Sequence, residues 1–201
     1  CAPSRFSIIT GMYSARLGAH NMRTGDYHNY KTPEKVSHKN NIGVIDKAGF
    51  NIPEYEVVTP PHVKPFTEIL RKEGYYCANN FKCDYQFNAP FTAWDEVSST
   101  VSFRDRPNDT PFFYVWNTLL THESRIWERG NKPLTVSPED IKIPSYFPDI
   151  PEVRNDIARK YSNIEAMDKK VGELINQLES DGLLENTCLL YTSPSPRDVL
   201  R

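Results

Sequence analysis

An α/β fold is expected from three observations. Residues 111–116, Pro-Phe-Phe-Tyr-Val-Trp, form an apolar run of the kind buried on both faces of a parallel sheet. Residues 153–180 place Val153, Ile157, Tyr161, Ile164, Met167, Val171, Leu174, Ile175 and Leu178 at three- and four-residue steps, one face of a long helix. Along the rest of the chain the order is helix, strand, polar loop, strand, polar loop, long helix, which is α/β alternation. In such a fold the ligand-contacting residues gather at the carboxyl ends of the strands.

The first helix is expected over residues 3–17. Pro3 suits a first turn, and Ile8, Ile9, Met12 and Tyr13 make an apolar stripe. From Gly18 to Pro61 periodicity is poor and Asn, His, Lys and Pro are frequent, which reads as a long functional loop region. Residues 65–73 form a short amphipathic helix (Phe66, Ile69, Leu70) stopped by Gly74. Residues 75–78 have strand character and residues 79–84 follow as a polar loop. The long helix begins near Pro151 and ends before Gly182, after which Leu183–Thr187 is expected to lead into a buried strand.

Bulk properties exclude several classes. The 201 residues suit one domain or a piece of a larger one, with 38 % hydrophobic and 25 % charged residues, a composition neither disordered nor membrane-like. No apolar run approaches the roughly 18 residues of a membrane span. A net charge of −2 offers no global basic field for nucleic acid, so any bound anion must be held by local charges. Four cysteines are too few for a disulfide scaffold; Cys77 and Cys83 either pair across a turn or remain buried thiols.

Three polar clusters carry chemistry. In the first, Cys1-Ala-Pro-Ser-Arg5, a thiol at a helix N-terminus with an arginine one turn on has the surroundings of a nucleophile. Cysteine-dependent phosphatases need a longer spacing than the three residues between Cys1 and Arg5, which disfavours thiolate chemistry. The second, Lys82-Cys83-Asp84-Tyr85, places a cation and a carboxylate after a strand. The third, Thr121-His122-Glu123-Ser124-Arg125, follows the most apolar strand and so falls at its carboxyl end. His28, His38 and His62 have no better reading than solvated loop residues.

At this point the chain resembles the sulfatase family, whose signature reads Cys, small residue, Pro, Ser, Arg, two further residues, an apolar pair, Thr, Gly. CAPSRFSIITG fits it at every position. The fold this implies is alkaline-phosphatase-like: a central mixed or parallel sheet flanked by helices, incomplete in this chain. Lys82 falls where the family carries its active-site lysine. The commoner family pattern there is Gly-Lys-Trp-His, whereas here Phe81 replaces the glycine and Asp84 stands in place of the histidine. The run EGYYCANNFKCDYQF, with HNMRT at 20–24 and WDE at 94–96, is most similar to the branch that includes heparan N-sulfatase-like proteins. A carboxylate beside a bound sulfate is repulsive, so Asp84 is expected to contact a sugar hydroxyl or to pair with Lys82 or an arginine.

The resemblance implies that Cys1 is oxidised by a maturation enzyme to formylglycine. The hydrate of that aldehyde offers an attacking hydroxyl and a second hydroxyl that lets sulfate leave, while a bound Ca²⁺ polarises the sulfate oxygens. Arg5 and Lys82 then neutralise the hydrate and the sulfate, and His122 is the general acid for the leaving oxygen. His20, Asp84 and Glu123 are the candidate substrate contacts. The implied substrate is a sulfated polysaccharide or glycosaminoglycan, with N- and O-sulfate both open. A phosphodiesterase or phosphatase of the same superfamily would use Ser or Thr where Cys1 stands, and a non-catalytic glycan-binding relative would leave the thiol intact. Family membership implies export to the periplasm, the cell surface or the lysosome.

Calcium takes about six to eight oxygen ligands. Beyond formylglycine at position 1, the family supplies them from an Asp-Asp pair before the cysteine and an Asp-His or Asp-Asn pair after a later strand. Both would fall outside residues 1–187, so the chain is expected to be a catalytic-domain piece cut at both ends, inactive by itself. Residues 188–201, with Ser-Pro-Ser-Pro, cannot continue a central strand. They resemble a translated sequencing adapter and are set aside as a non-native tail.

Overall fold

The computed structural model describes residues 1–21, 44–45, 48, 51–52, 57–87, 90–107 and 109–190. The chain divides into two compact units, the first holding Cys1–Asn117 and the second beginning at Thr118.

In the first unit, helix α1 spans Ala2–Thr10, with Cys1 at its N-cap. It is shorter than the expected 3–17. Gly11 takes a left-handed conformation (φ 67°) and its N–H closes on the Ser7 carbonyl, which ends the helix where a residue with a Cβ would be strained. A separate 3-10 turn, Ser14–Leu17, follows. The buried face of α1 is Ala2, Phe6 and Ile9, spaced four and three residues apart; Ile8 and Tyr13, expected on the apolar stripe, are exposed. Val44–Ile45 (β1) and Asn51–Ile52 (β2) make a small antiparallel pair. Helix α2 covers Phe66–Lys72, as expected.

The sheet of this unit has three parallel strands: β3 (Tyr76–Asn80), β4 (Glu96–Ser98) and β5 (Phe112–Val115), in the order β4-β3-β5. Ala78 pairs with Glu96 on one side and with Tyr114 on the other. The α/β expectation and its parallel sheet hold. One detail does not: β5 is half-buried along its length, and the most buried strand is the central one, β3, buried from Cys77 to Asn80. Strand β3 has a neighbour on both edges, whereas β5 pairs only with β3 among the described residues. Strand β3 also runs to Asn80, two residues past its expected end.

The core of the first unit binds α1 to the sheet. Phe6 meets Phe87 edge to face at 5.6 Å, and Tyr85, Trp94 and Phe113 stack in series at 6.0 and 6.1 Å, with Phe66 closing the row at 5.0 Å. Cys77 and Cys83 lie in this core as free thiols rather than as a disulfide. Burial pushes the Cys77 thiol up to about 12 and the Cys83 thiol up to about 11, so both stay protonated and unreactive at neutral pH. Thiol labelling of the folded 201-residue chain at mildly alkaline pH is therefore expected to modify exposed Cys1 and Cys188 rapidly and to spare Cys77 and Cys83 until denaturant is added. Peptide mass mapping of the labelled protein checks this.

The second unit is built on α4, Pro151–Ser180, a helix of 30 residues. It ends as expected: Gly182 has φ 69°, its N–H bonds to the Glu179 carbonyl and that of Leu183 to the Leu178 carbonyl. Its buried face differs from the apolar stripe. Ala158, Arg159, Ser162, Asn163 and Leu178 are buried, while Tyr161 and Ile164 are exposed. The reason is the neighbour: an irregular segment with helix α3, Arg125–Glu128, lies on this face and presents backbone groups that need polar partners. Leu183–Thr187 does not begin a strand; Leu184–Asn186 is a 3-10 turn. None of the described helices is long and apolar enough to cross a membrane.

One ion pair of this unit has a pH consequence. Hydrogen bonds from Arg154 (Nη2 to Asp149 Oδ2, 2.7 Å) hold the Asp149 carboxyl below its usual value. Its folded value is the lower one, so its contribution is present above the unfolded carboxylate value and is lost as pH falls through the folded value. In Arg154→Gln, Asp149 is expected to titrate at higher pH than in the unaltered protein, read by carboxyl-carbon NMR.

Candidate functional site

The carboxyl ends of β3 and β5 carry a connected set of polar side chains that Arg5 joins from α1. The Arg5 guanidinium donates from Nη1 to Asn117 Oδ1 at 3.0 Å, and from Nη2 to the Lys82 carbonyl at 2.6 Å and the Tyr85 hydroxyl at 3.1 Å. It also lies 4.6 Å from the centre of the Tyr85 ring. Asn79, fully buried on the central strand, accepts from the Tyr85 hydroxyl at 3.0 Å and donates to the Lys82 carbonyl at 3.2 Å. Asn117, just beyond β5, donates to the Asn80 carbonyl at 2.5 Å. A guanidinium with its Nη groups tied to three fixed acceptors has little rotamer freedom left, so its charge is preorganised. Burial raises the Tyr85 hydroxyl above its ordinary value despite the nearby Arg5 cation, so it serves as a neutral donor to Asn79.

Arg5 thus sits one helical turn beyond Cys1, whose carbonyl accepts the Arg5 N–H at 3.0 Å. Cys1 is exposed at the N-terminal end of α1, where backbone N–H groups and the helix dipole favour an anion.

Lys82 stands in the turn after β3. Its ammonium is 3.8 Å from Asp84 Oδ2, and both side chains are largely buried. Asp84 thus pairs with Lys82, one of the expectations for it. The turn holding Lys82 has two non-glycine residues in the left-handed region, Phe81 (φ 39°) and Gln86 (φ 62°). Phe81 occupies the position where the commoner pattern has glycine, the residue that adopts a positive φ without strain.

His20 is exposed in the turn after Leu17, and His62 is exposed. His28 and His38 lie outside the described residues. Trp94-Asp95-Glu96 serves the fold: Trp94 is in the core, and Asp95 accepts from the Cys77 N–H at 2.7 Å and pairs with Arg71 at 2.7 Å.

His122 and Glu123 belong to the second unit, and both are exposed. His122 Nδ1 is 3.2 Å from the Ser124 N–H and 3.1 Å from its hydroxyl. The carbonyls of His122 and Glu123 accept from Arg125 and Ile126, which joins them to the start of α3.

Asn79, Tyr85 and Asn117 escaped the sequence reading. The signal for two of them was available: Asn79 and Asn117 fall at or just past the carboxyl ends of strands, the same rule that singled out His122. Tyr85 carried no such signal, because its part is to reach Arg5 across 80 positions. Among the described residues no group of three His, Cys, Asp or Glu side chains could hold a metal ion.

The model of the sulfatase family matches residues 1–193. An ulvan-active sulfatase of Formosa agariphila is 37 % identical over 237 residues, covering 98 % of this chain and 37 % of that protein. The N-sulphoglucosamine sulphohydrolase of Homo sapiens is 22 % identical over 221 residues, covering 96 % of this chain and 40 % of that protein. The chain therefore spans about two fifths of the length of these relatives. With the family model matched along nearly all of its length, the chain belongs to the sulfatase family.

Proposed function

We propose that the protein containing this chain hydrolyses sulfate esters of a sulfated polysaccharide, with Cys1 as the precursor of the nucleophile. The observation that carries this reading is the arrangement of the motif CAPSRFSIITG: Cys1 at the head of α1, and Arg5 one turn on, locked onto the strand ends. A formylglycine made from Cys1 would supply, through its hydrate, the attacking hydroxyl and a second hydroxyl by which sulfate departs.

The chain's own residues supply the rest. A sulfate monoester repels ordinary nucleophiles, so its oxygens must be neutralised before attack. The N–H groups at the start of α1 and the fixed Arg5 cation supply positive potential beside position 1. Lys82 adds a second cation, and its partner Asp84 is held by Lys82 instead of standing alone against the anion. His122 donates a proton to the leaving oxygen, while His20 and Glu123 contact sugar hydroxyls. No cluster of three His, Cys, Asp or Glu side chains among the described residues fits a Ca²⁺ site.

The similarity to an ulvan-active sulfatase, at higher identity than to the N-sulphoglucosamine enzyme, favours a sulfated polysaccharide as the substrate. Such a polymer does not cross a membrane, which supports the expectation of export.

The test uses the full-length protein co-expressed with a formylglycine-generating enzyme. Mass spectrometry of the Cys1 peptide is expected to show the aldehyde, and ion chromatography to show sulfate released from ulvan. Cys1→Ala is expected to abolish the release. An intact thiol with ulvan binding and no release overturns the reading in favour of a binding protein. Release from N-sulfated glucosamine alone moves the substrate to the sulfamidase class.

A further inference from the structure

The buried face of α4 raises a question that its sequence does not answer. Arg159, Ser162 and Asn163 are 5, 6 and 2 % exposed, and a helix of this length has ample apolar residues with which to fill such positions. Burying three polar side chains is costly unless each finds partners. All three do, on one stretch of chain. Asn163 accepts from Arg129 Nε at 2.8 Å and donates to the Arg125 carbonyl at 3.3 Å. Arg159 donates to the carbonyls of Gly130 and Pro133, and the Ser162 hydroxyl accepts from the N–H groups of Thr135 and Val136.

Their common target is the segment that leaves His122. The four-residue helix α3 is too short to hold itself together in isolation. Asn163 bonds to the carbonyl of its first residue, Arg125, and to the side chain of Arg129, just past its end. The first turn of α3 is in turn continuous with His122, whose carbonyl accepts the Arg125 N–H at 2.9 Å. The Ser124 N–H points at His122 Nδ1, 3.2 Å away, with the Ser124 hydroxyl 3.1 Å from the same atom. A backbone N–H can only donate, so Nδ1 must accept. A neutral imidazole whose Nδ1 accepts carries its proton on Nε2.

We infer that Ser124 and Asn163 are positioning residues for His122: the Ser124 turn fixes its imidazole as the Nε2–H tautomer, and Asn163 holds that turn in place through α3. This inference rests on the reading of His122 as the group that assists the leaving oxygen, to which the Nε2–H of the neutral ring would donate a hydrogen bond as charge develops there. It gives Ser124 of the third cluster a role and adds Asn163, which neither the motif nor the strand-end rule identifies.

The experiment is selective ¹⁵N-histidine labelling of the full-length protein, with the His122 resonance assigned by its absence in His122→Ala. Above the imidazole titration range, two-bond nitrogen–proton correlations distinguish the tautomers. The expected pattern is Nε2–H; a dominant Nδ1–H pattern overturns the inference whatever the activity. Asn163→Leu, which keeps volume and loses both bonds to α3, is expected to lower kcat by about tenfold to a hundredfold with KM little changed. It is also expected to average the His122 pattern toward a tautomer mixture. Asn163→Asp keeps the acceptor for Arg129 and is expected to recover most of both signals, which also separates positioning from a general loss of folding. An unaltered His122 pattern and kcat in a folded Asn163→Leu protein overturns the part assigned to Asn163. Full activity in His122→Ala with the Nε2–H pattern intact in the unaltered protein would instead overturn the catalytic reading of His122.

Discussion

Arg5→Lys in the matured full-length protein is expected to lower sulfate release by about a hundredfold to a thousandfold. The charge is kept, so the loss measures what the guanidinium fork supplies. Arg5 meets three acceptors from two strand ends: Asn117 Oδ1, the Lys82 carbonyl and the Tyr85 hydroxyl. An ammonium on a flexible stem is a point charge and cannot reproduce that geometry. Asn117 and the Lys82 carbonyl then lose a charged donor, and the turn bearing Lys82 loses its tie to α1. Both cations of the site are therefore displaced by one substitution. Steady-state assay on ulvan, with aldehyde content at position 1 measured in parallel, checks the prediction. A loss of less than about threefold, far short of the scale for removing one preorganised donor, would show that Arg5 acts as charge alone.

Phe6→Ala is expected to cost about 3–5 kcal/mol of stability. Phe6 is fully buried, one residue past Arg5 on the face of α1 that meets the sheet, with Phe87 edge to face against it. Truncation leaves a ring-sized void beneath the helix that carries Cys1 and Arg5. The folded protein that remains is also expected to lose activity, because a helix that shifts on its core moves its N-terminus relative to the strand ends. Denaturant midpoints of the two proteins give the stability change. Phe6→Leu, which refills most of the volume, is expected to recover the larger part.

The elements that were legible in the sequence are those whose cause is local. Pro3 and Gly11 bracket α1, although periodicity alone carried the expected helix past Gly11 to residue 17, and the left-handed glycine ends it earlier. Pro65 and Gly74 bracket α2, and Pro151 and Gly182 bracket α4, because proline in a first turn and glycine past the end act within one turn of chain. The motif CAPSRFSIITG is likewise contiguous, so it pointed to position 1 before any contact was known.

Residues that act across sequence distance were not legible. The apolar run at 111–116 was expected to be the most buried strand, yet β3 takes the centre of the sheet, because strand order depends on pairing between distant segments. The stripe on α4 was expected to face inward, yet Tyr161 and Ile164 are exposed and Arg159, Ser162 and Asn163 are buried. What decides that face is the backbone of residues 125–136 laid against it, whose N–H and carbonyl groups require polar partners. By itself the sequence determined the α/β class, the family resemblance and the place of Cys1 and Arg5, since helix limits, apolar runs and a contiguous motif are written in neighbouring residues. Only the tertiary structure decided that Asn79, Tyr85 and Asn117 hold Arg5, and that Asn163 stands behind His122. Those partners are chosen by which chain ends folding brings within about 3 Å of one another, the length of a hydrogen bond.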